Sequence, residues 1–261
     1  MVQFISLVSG SSGNASLITD EQTTLLIDCG LSGVKLVEKL NNIGLCPEDL
    51  SGMLITHEHS DHTKGVGVIA RKYNIPIYAT SGTFNSMNVG KIDLNAFHAV
   101  VAEEQFNIGS ITIKPFSIPH DAAEPVGYSF FANEKKYTLA TDIGCMTEQL
   151  YENLDGSDSI ILESNHDIDM LRYGSYPYYL KERILGKRGH MSNDLTAEIA
   201  IRLAKNGTKH IMLAHLSHEN NTPEIAKITT ESALKKANCT DVELTVANRN
   251  EITCFEMCKV V

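Results

Sequence analysis

The sequence predicts a mixed α/β fold: two mixed β-sheets packed face to face with helices on the outside. Short β-rich runs alternate with amphipathic helix patterns along the chain, and strands fall in both halves. The length of 261 residues, 43% of them hydrophobic and 21% charged, suits one large domain over 1–261 with a sizeable core.

Strands are expected at 3–8, 15–19, 23–28, 53–56 and 76–79, each a short apolar or alternating run bounded by turn residues. A helix over 32–43 puts Leu36, Val37, Leu40 and Ile43 on one face. A second over 64–73 does the same with Val66, Ile69, Ala70 and Tyr73. Further strands follow at 111–118, 126–132, 136–141 and 159–163. A helix over 194–206 has polar caps at Ser192 and Asn193 and Gly207 at its stop. It runs into a buried strand at 210–214. A last helix takes Thr222 as N-cap and Pro223 at its first position, where a missing N–H breaks no hydrogen bond. Strands at 242–247 and 252–257 close the chain.

No apolar run approaches the roughly 20 residues that cross a bilayer, so no membrane partner is expected. The start of the chain lacks the basic stretch of an export signal. Six scattered cysteines without a Cys-x-x-Cys pair then read as reduced thiols of a cytoplasmic protein, with Cys254 and Cys258 as core thiols. A net charge of −10 taken alone argues against nucleic acid as a partner. Two bound divalent cations would offset about four of those charges, so local clusters count for more than the total.

The chemistry concentrates at His57, His59, Asp61 and His62, in His-Glu-His-Ser-Asp-His at the end of a predicted strand. Alternate side chains at His57 and His59 can converge on one cation, and Asp61 and His62 on a second. Imidazole and carboxylate ligands suit Zn²⁺, Mn²⁺ or Fe²⁺. Further ligands come from His120, Asp142 and His215, each just after an apolar strand, where grafted sites gather. The remaining histidines, His98, His166, His210 and His218, read as structural or exposed.

These motifs, preceded by Asp28 in Leu-Leu-Ile-Asp-Cys-Gly, resemble the metallo-β-lactamase superfamily over nearly the full chain. The resemblance implies a four-layer αββα sandwich. It implies one metal held by His57, His59, His120 and Asp142, and another by Asp61, His62, His215 and the bridging Asp142, with Asp28 supporting from behind. Asp61 would also take part in catalysis at the two metals. Both ligand sets are complete, unlike true β-lactamases. His59 stands where flavo-diiron relatives carry glutamate, which disfavours redox chemistry.

The segment Gly-His-Met-Ser-Asn at 189–193, with its helix and strand, resembles RNase Z enzymes. By that likeness His190 contacts the scissile phosphate or protonates the leaving group, and Glu163 is its acidic partner. Asn165 and His166 depart from both the RNase Z and the related β-CASP patterns. Ser-Gly-Ser-Ser-Gly-Asn at 9–14, the metal cluster, and the stretches 119–128, 163–167 and 216–221 resemble the YycJ (WalJ) group of small exonucleases. That implies a metal-dependent nuclease cleaving DNA 5′→3′, with a water activated between two metals as nucleophile.

Candidate phosphate or nucleic-acid contacts are Ser11, Ser12 and Asn14 in the glycine-serine loop, Ser192 and Asn193 at a helix start, and Lys187 and Arg188. The stretch 171–190 holds four of the nine tyrosines and five basic residues. It reads equally as a base-stacking surface or as a helical insert whose tyrosines pack on the core or a second copy. Two other functions fit the metals: a thioester or lactone hydrolase resembling glyoxalase II, and a non-catalytic metal-binding partner protein.

Overall fold

A computed structural model describes residues 2–255. The first sheet holds β1 (Gln3–Val8), β2 (Ala15–Thr19), β3 (Thr24–Ile27), β4 (Gly52–Leu54), β5 (Ile77–Ala79), β6 (Phe97–Ala99) and β14 (Thr253–Cys254), in the order β14-β1-β2-β3-β4-β5-β6. The second holds β7 (Phe106–Ile108), β8 (Ile111–Ser117), β9 (Val126–Ala132), β10 (Lys135–Ala140), β11 (Ser159–Glu163), β12 (His210–Ala214) and β13 (Glu243–Val246), in the order β13-β12-β11-β10-β9-β8-β7.

The two sheets sandwich one apolar layer and carry helices on their outer faces. Strand alternation makes this possible. In β3, Leu25 and Ile27 enter the middle layer while Leu26 faces outward. In β12, Met212 and Ala214 face the middle, and Ile211 and Leu213 face out. Strands buried on both faces are apolar at nearly every position, which is why these runs read as near-continuous hydrophobic stretches. Leu36 and Leu40 of α1 (Gly33–Asn41) and Ile69 of α3 (Val66–Tyr73) cover the first sheet. Three helices cover the second: α5 (Glu148–Leu154), α8 (Asn193–Lys205) and α9 (Pro223–Lys236).

Two of the three predicted cap residues act as caps: Ser192 Oγ accepts from Leu195 N–H, and Thr222 Oγ1 from Ile225 N–H. Asn193 is the first helical residue rather than a second cap. Other boundaries differ. The strand before the metal cluster ends at Leu54, not Thr56. The helix expected over 64–73 is α3, which starts two residues later, and a short helix that was not expected, α2 (Ser60–Thr63), precedes it. Gly65 lies between them, where a Cβ would come within 2.3 Å of Leu31 O and 2.5 Å of Cys29 Sγ. Short elements absent from the sequence reading are α4 (Ser81–Ser86), the edge strands β6 and β7, and α5. The basic-aromatic insert forms α6 (Ile168–Tyr173) and α7 (Tyr178–Leu185). Of the strand expected at 252–257, residues 253–254 pair with β1; residues 256 and 257, like Cys258, lie outside the described residues.

Strand direction gathers the site. β3 and β4 are parallel, so Asp28 and the residues from Thr56 onward leave the same edge of the first sheet. In the second sheet β10, β11 and β12 are mutually parallel, and β8 runs the same way because both it and β10 are antiparallel to β9. His120, Asp142, Glu163 and His215 therefore emerge at one edge of that sheet.

Candidate active site

At this edge the predicted residues meet as two neighbouring triads. The ring nitrogens of His57, His59 and His120 lie within 4.8 Å of one another, and so do ligand atoms of Asp61, His62 and His215. Asp142 stands between the triads. Its Oδ2 is 3.4 Å from His62 Nε2, and its Oδ1 is 3.5 Å from His215 Nε2 and 3.8 Å from His120 Nε2.

Four of these histidines have Nδ1 fixed from behind, leaving Nε2 for the centre. His62 Nδ1 lies 2.8 Å from Asp28 Oδ2, and His215 Nδ1 lies 2.9 Å from Glu163 Oε1. His57 Nδ1 is 3.0 Å from Thr56 Oγ1, which itself donates to Asp28 Oδ2. His120 Nδ1 is 3.2 Å from the carbonyl of Gly189. A partner behind Nδ1 sets the tautomer and aims the lone pair of Nε2, the arrangement that metal-ligating histidines adopt. His57 Nε2, His215 Nε2 and Asp142 Oδ2 are buried with no hydrogen-bond partner. Leaving such atoms unsatisfied is costly, and cations held in the two neighbouring groups would satisfy all three, so this donor set fits divalent ions.

The electrostatics point the same way. Burial holds the pKa of His57 well below the usual histidine range. Burial acts similarly on His215, but the carboxylates of Asp142, Asp61 and Glu163 overcome it and raise that group to about 10. Burial alone would raise Glu163; the charge and hydrogen bond of His190, with His215, instead bring it to about 2. The carboxylates of Asp142, Asp61 and Glu163 thus favour positive charge at this centre.

Backbone geometry is tensioned here as well. Asp28, Asp142 and His215 adopt left-handed φ angles of 60°, 63° and 57°. Each such non-glycine position costs on the order of 1–3 kcal/mol and persists only where the surroundings enforce it.

A model of the beta-lactamase superfamily domain matches residues 23–216, a span that runs from before Asp28 to just past His215. The chain belongs to the beta-lactamase superfamily. Superfamily membership and the His/Asp groups together make this a divalent-metal centre. The chain is 43% identical over 236 residues to Exodeoxyribonuclease WalJ of Streptococcus pneumoniae, covering 89% of this chain and 88% of that one. It is 39% identical over 237 residues to Exodeoxyribonuclease YycJ of Bacillus anthracis, covering 90% of each. Among solved structures, the metallo-beta-lactamase fold protein YhfI of Bacillus subtilis superposes with a TM-score of 0.72 at 14% identity, covering 98% of this chain and 100% of that one. That likeness concerns the fold alone.

Around this superfamily centre, Glu163 does more than its sequence context suggested. Its Oε1 lies 2.8 Å from His190 Nδ1 and 2.9 Å from His215 Nδ1. Its Oε2 accepts from the backbone N–H groups of Ile143 and Met191. One fully buried carboxylate therefore ties the metal cluster to His190, which lines the cleft beside it. Thr56, between Asp28 and two of the histidines, went unnoticed in the sequence; its place immediately before the cluster was the available signal.

The candidate phosphate contacts divide. Ser11 lines the cleft. Asn14 is buried, with its amide on the carbonyl of Gly10 and 3.1 Å from His62 Nε2. Ser192 caps α8, and Asn193 is buried against Ser164 and Asn221. Ser12, Lys187 and Arg188 are exposed and not on the cleft wall. Asn165 lines the cleft and donates to His215 O, whereas His166 is buried.

Two substitutions test the support of the cluster. Asp28→Asn should weaken metal affinity by about 10- to 100-fold, because the amide no longer presents a charged acceptor to His62. Metal titration of chelator-treated protein reads this. Gly30→Ala should be worse for the fold. Its Cβ would lie 1.7 Å from Asp61 O and 2.6 Å from Asn14 N, two backbone atoms with nowhere to go. Destabilisation should exceed the ~1–3 kcal/mol of ordinary overpacking, with a lowered Tm in the metal-free protein.

Proposed function

We propose that this chain is a metal-dependent exodeoxyribonuclease that hydrolyses phosphodiester bonds of DNA in the 5′→3′ direction. The observation that carries it is the Glu163 clamp. A divalent-metal site alone serves many reactions, but here the same carboxylate holds a further histidine, His190, over the cleft. The exodeoxyribonuclease names of relatives about 40% identical support a phosphodiester over a thioester as the scissile bond, so the glyoxalase II reading is not favoured.

His57, His59, His120 and Asp142 would hold one cation, and Asp61, His62, His215 and Asp142 a second, Mn²⁺ or Zn²⁺. Such cations lower the pKa of a water and neutralise charge on phosphoryl oxygens. The protein's own part is orientation and proton transfer. Asp28, Thr56, Glu163 and Gly189 O fix the ligand rings. Glu163 holds His190 through Nδ1–H, so Nε2 is the ring atom left to face the phosphate, and in its imidazolium form the ring would give the Nε2 proton to the leaving 3′ or 5′ oxygen and become neutral. The absence of disulfides among the described cysteines suits a cytoplasmic setting. Among the described residues no helix is long and apolar enough to cross a membrane.

End-labelled DNA and RNA, digested with chelator-stripped protein refilled separately with Mn²⁺ and Zn²⁺, tests this. Mononucleotides released progressively from the 5′ end of DNA, only after refilling, are the expected result. Equal activity in the stripped protein, or turnover of thioesters with none of DNA, would overturn it.

A further inference from the structure

The cleft at the metal centre has a volume of about 210 Å³. That is below the ~300–1,000 Å³ of pockets enclosing a drug-sized ligand, so it admits only the reacting end of a polynucleotide. The rest of a strand must cross the surface, and α7 forms part of the cleft's rim through Leu180, Arg183 and Ile184.

The outward side of this helical pair is unusual. Tyr173, Tyr178 and Tyr179 are 86%, 76% and 74% exposed. Among the described residues, no ring contact or side-chain hydrogen bond holds any of the three. This removes the reading in which they pack on the core. Residues 168–190 also carry five basic groups (Arg172, Lys181, Arg183, Lys187 and Arg188) against two acidic ones (Asp169 and Glu182). A local balance of +3 in a chain of net charge −10 marks this as a surface built for an anion. Arg183 pairs with Asp121 on the cleft side, while Arg172, Lys187 and Arg188 are exposed.

We propose that the α6–α7 face is a stacking platform for the unpaired bases of single-stranded DNA leading into the cleft. The deepening rests on the nuclease reading above. Tyr173, Tyr178 and Tyr179 take base faces, which every base offers regardless of sequence, and Arg172, Lys187 and Arg188 take phosphates. A second copy of the chain is the rival occupant. Continuity with the cleft and the positive balance favour the strand.

The test uses metal-loaded protein and fluorescein-labelled oligo(dT) with phosphorothioate linkages, followed by anisotropy. Combined Tyr173→Ala, Tyr178→Ala and Tyr179→Ala should weaken single-strand binding by roughly a hundredfold or more, since each lost stack costs about five- to 150-fold. The corresponding triple Phe variant keeps the rings and should bind like the parent. Affinity for a blunt duplex should change far less. All three tyrosines are exposed, and unchanged thermal melting verifies the fold of the variants. Unchanged oligo(dT) affinity in the Ala variant, with DNA still degraded by the parent, would overturn the platform alone. So would a dimer that the Ala variant dissociates without loss of DNA affinity. A parent protein that neither binds nor degrades DNA would overturn the nuclease reading itself.

Discussion

Asp142→Ala should lower DNA hydrolysis by about a thousandfold or more and strip the protein of its second metal equivalent. Asp142 is the one carboxylate between the two triads, 3.4 Å from His62 Nε2, 3.5 Å from His215 Nε2 and 3.8 Å from His120 Nε2. Removing it takes a negative charge from a buried site whose remaining ligands are largely neutral imidazoles. The several kcal/mol of charge stabilisation that such cations give a phosphoryl transition state corresponds to about a thousandfold in rate. The fold should survive, because the middle core does not include this side chain. Metal content by mass spectrometry and turnover of labelled DNA at saturating Mn²⁺ check both halves. Parental turnover with a full metal complement would exclude the role of Asp142 as a ligand shared by the two metals.

His190→Ala should leave metal content unchanged and slow DNA cleavage by about 10²- to 10⁴-fold, the usual contribution of a positioned acid or base. The side chain bonds Glu163, and although its Nδ1 also lies 3.6 Å from Asp142 Oδ1, it is a member of neither proposed ligand set, so its loss removes no ligand of either. A substrate with a leaving group that needs no proton separates donation from simple positioning. On bis(p-nitrophenyl) phosphate the variant should recover most of the lost rate. An equal loss on both substrates would reject proton donation by His190.

Much of this was legible in the sequence because it is local. His57, His59, Asp61 and His62 lie within six residues, so chain geometry alone brings them together. Helix caps at Ser192 and Thr222 depend on bonds across three residues. Strands such as β3 and β12 announce burial on both faces by having no polar position after their first residue. Short elements were harder. Three-residue strands such as β6 and β7 carry too few side chains to show a period, and pairing with a neighbour is what makes them strands.

What the sequence by itself determined was the set of metal-competent residues and the layered α/β fold that would hold them. Only the tertiary structure decided how those residues are wired. Glu163 meets His215 across 52 positions and His190 across 27, and Asp28 meets His62 across 34. It also spent Asn14, Ser192 and Asn193 on internal hydrogen bonds, and turned three tyrosines outward rather than into the core. Contacts between distant segments depend on strand order and direction, and one residue's chemical type carries no record of which partner the folded chain will bring to it. The His57–His62 cluster could therefore be read directly, and Asp28 and Glu163 were expected as supports through the resemblance alone, but which ligand each one holds, His62 and His215, had to be seen in place.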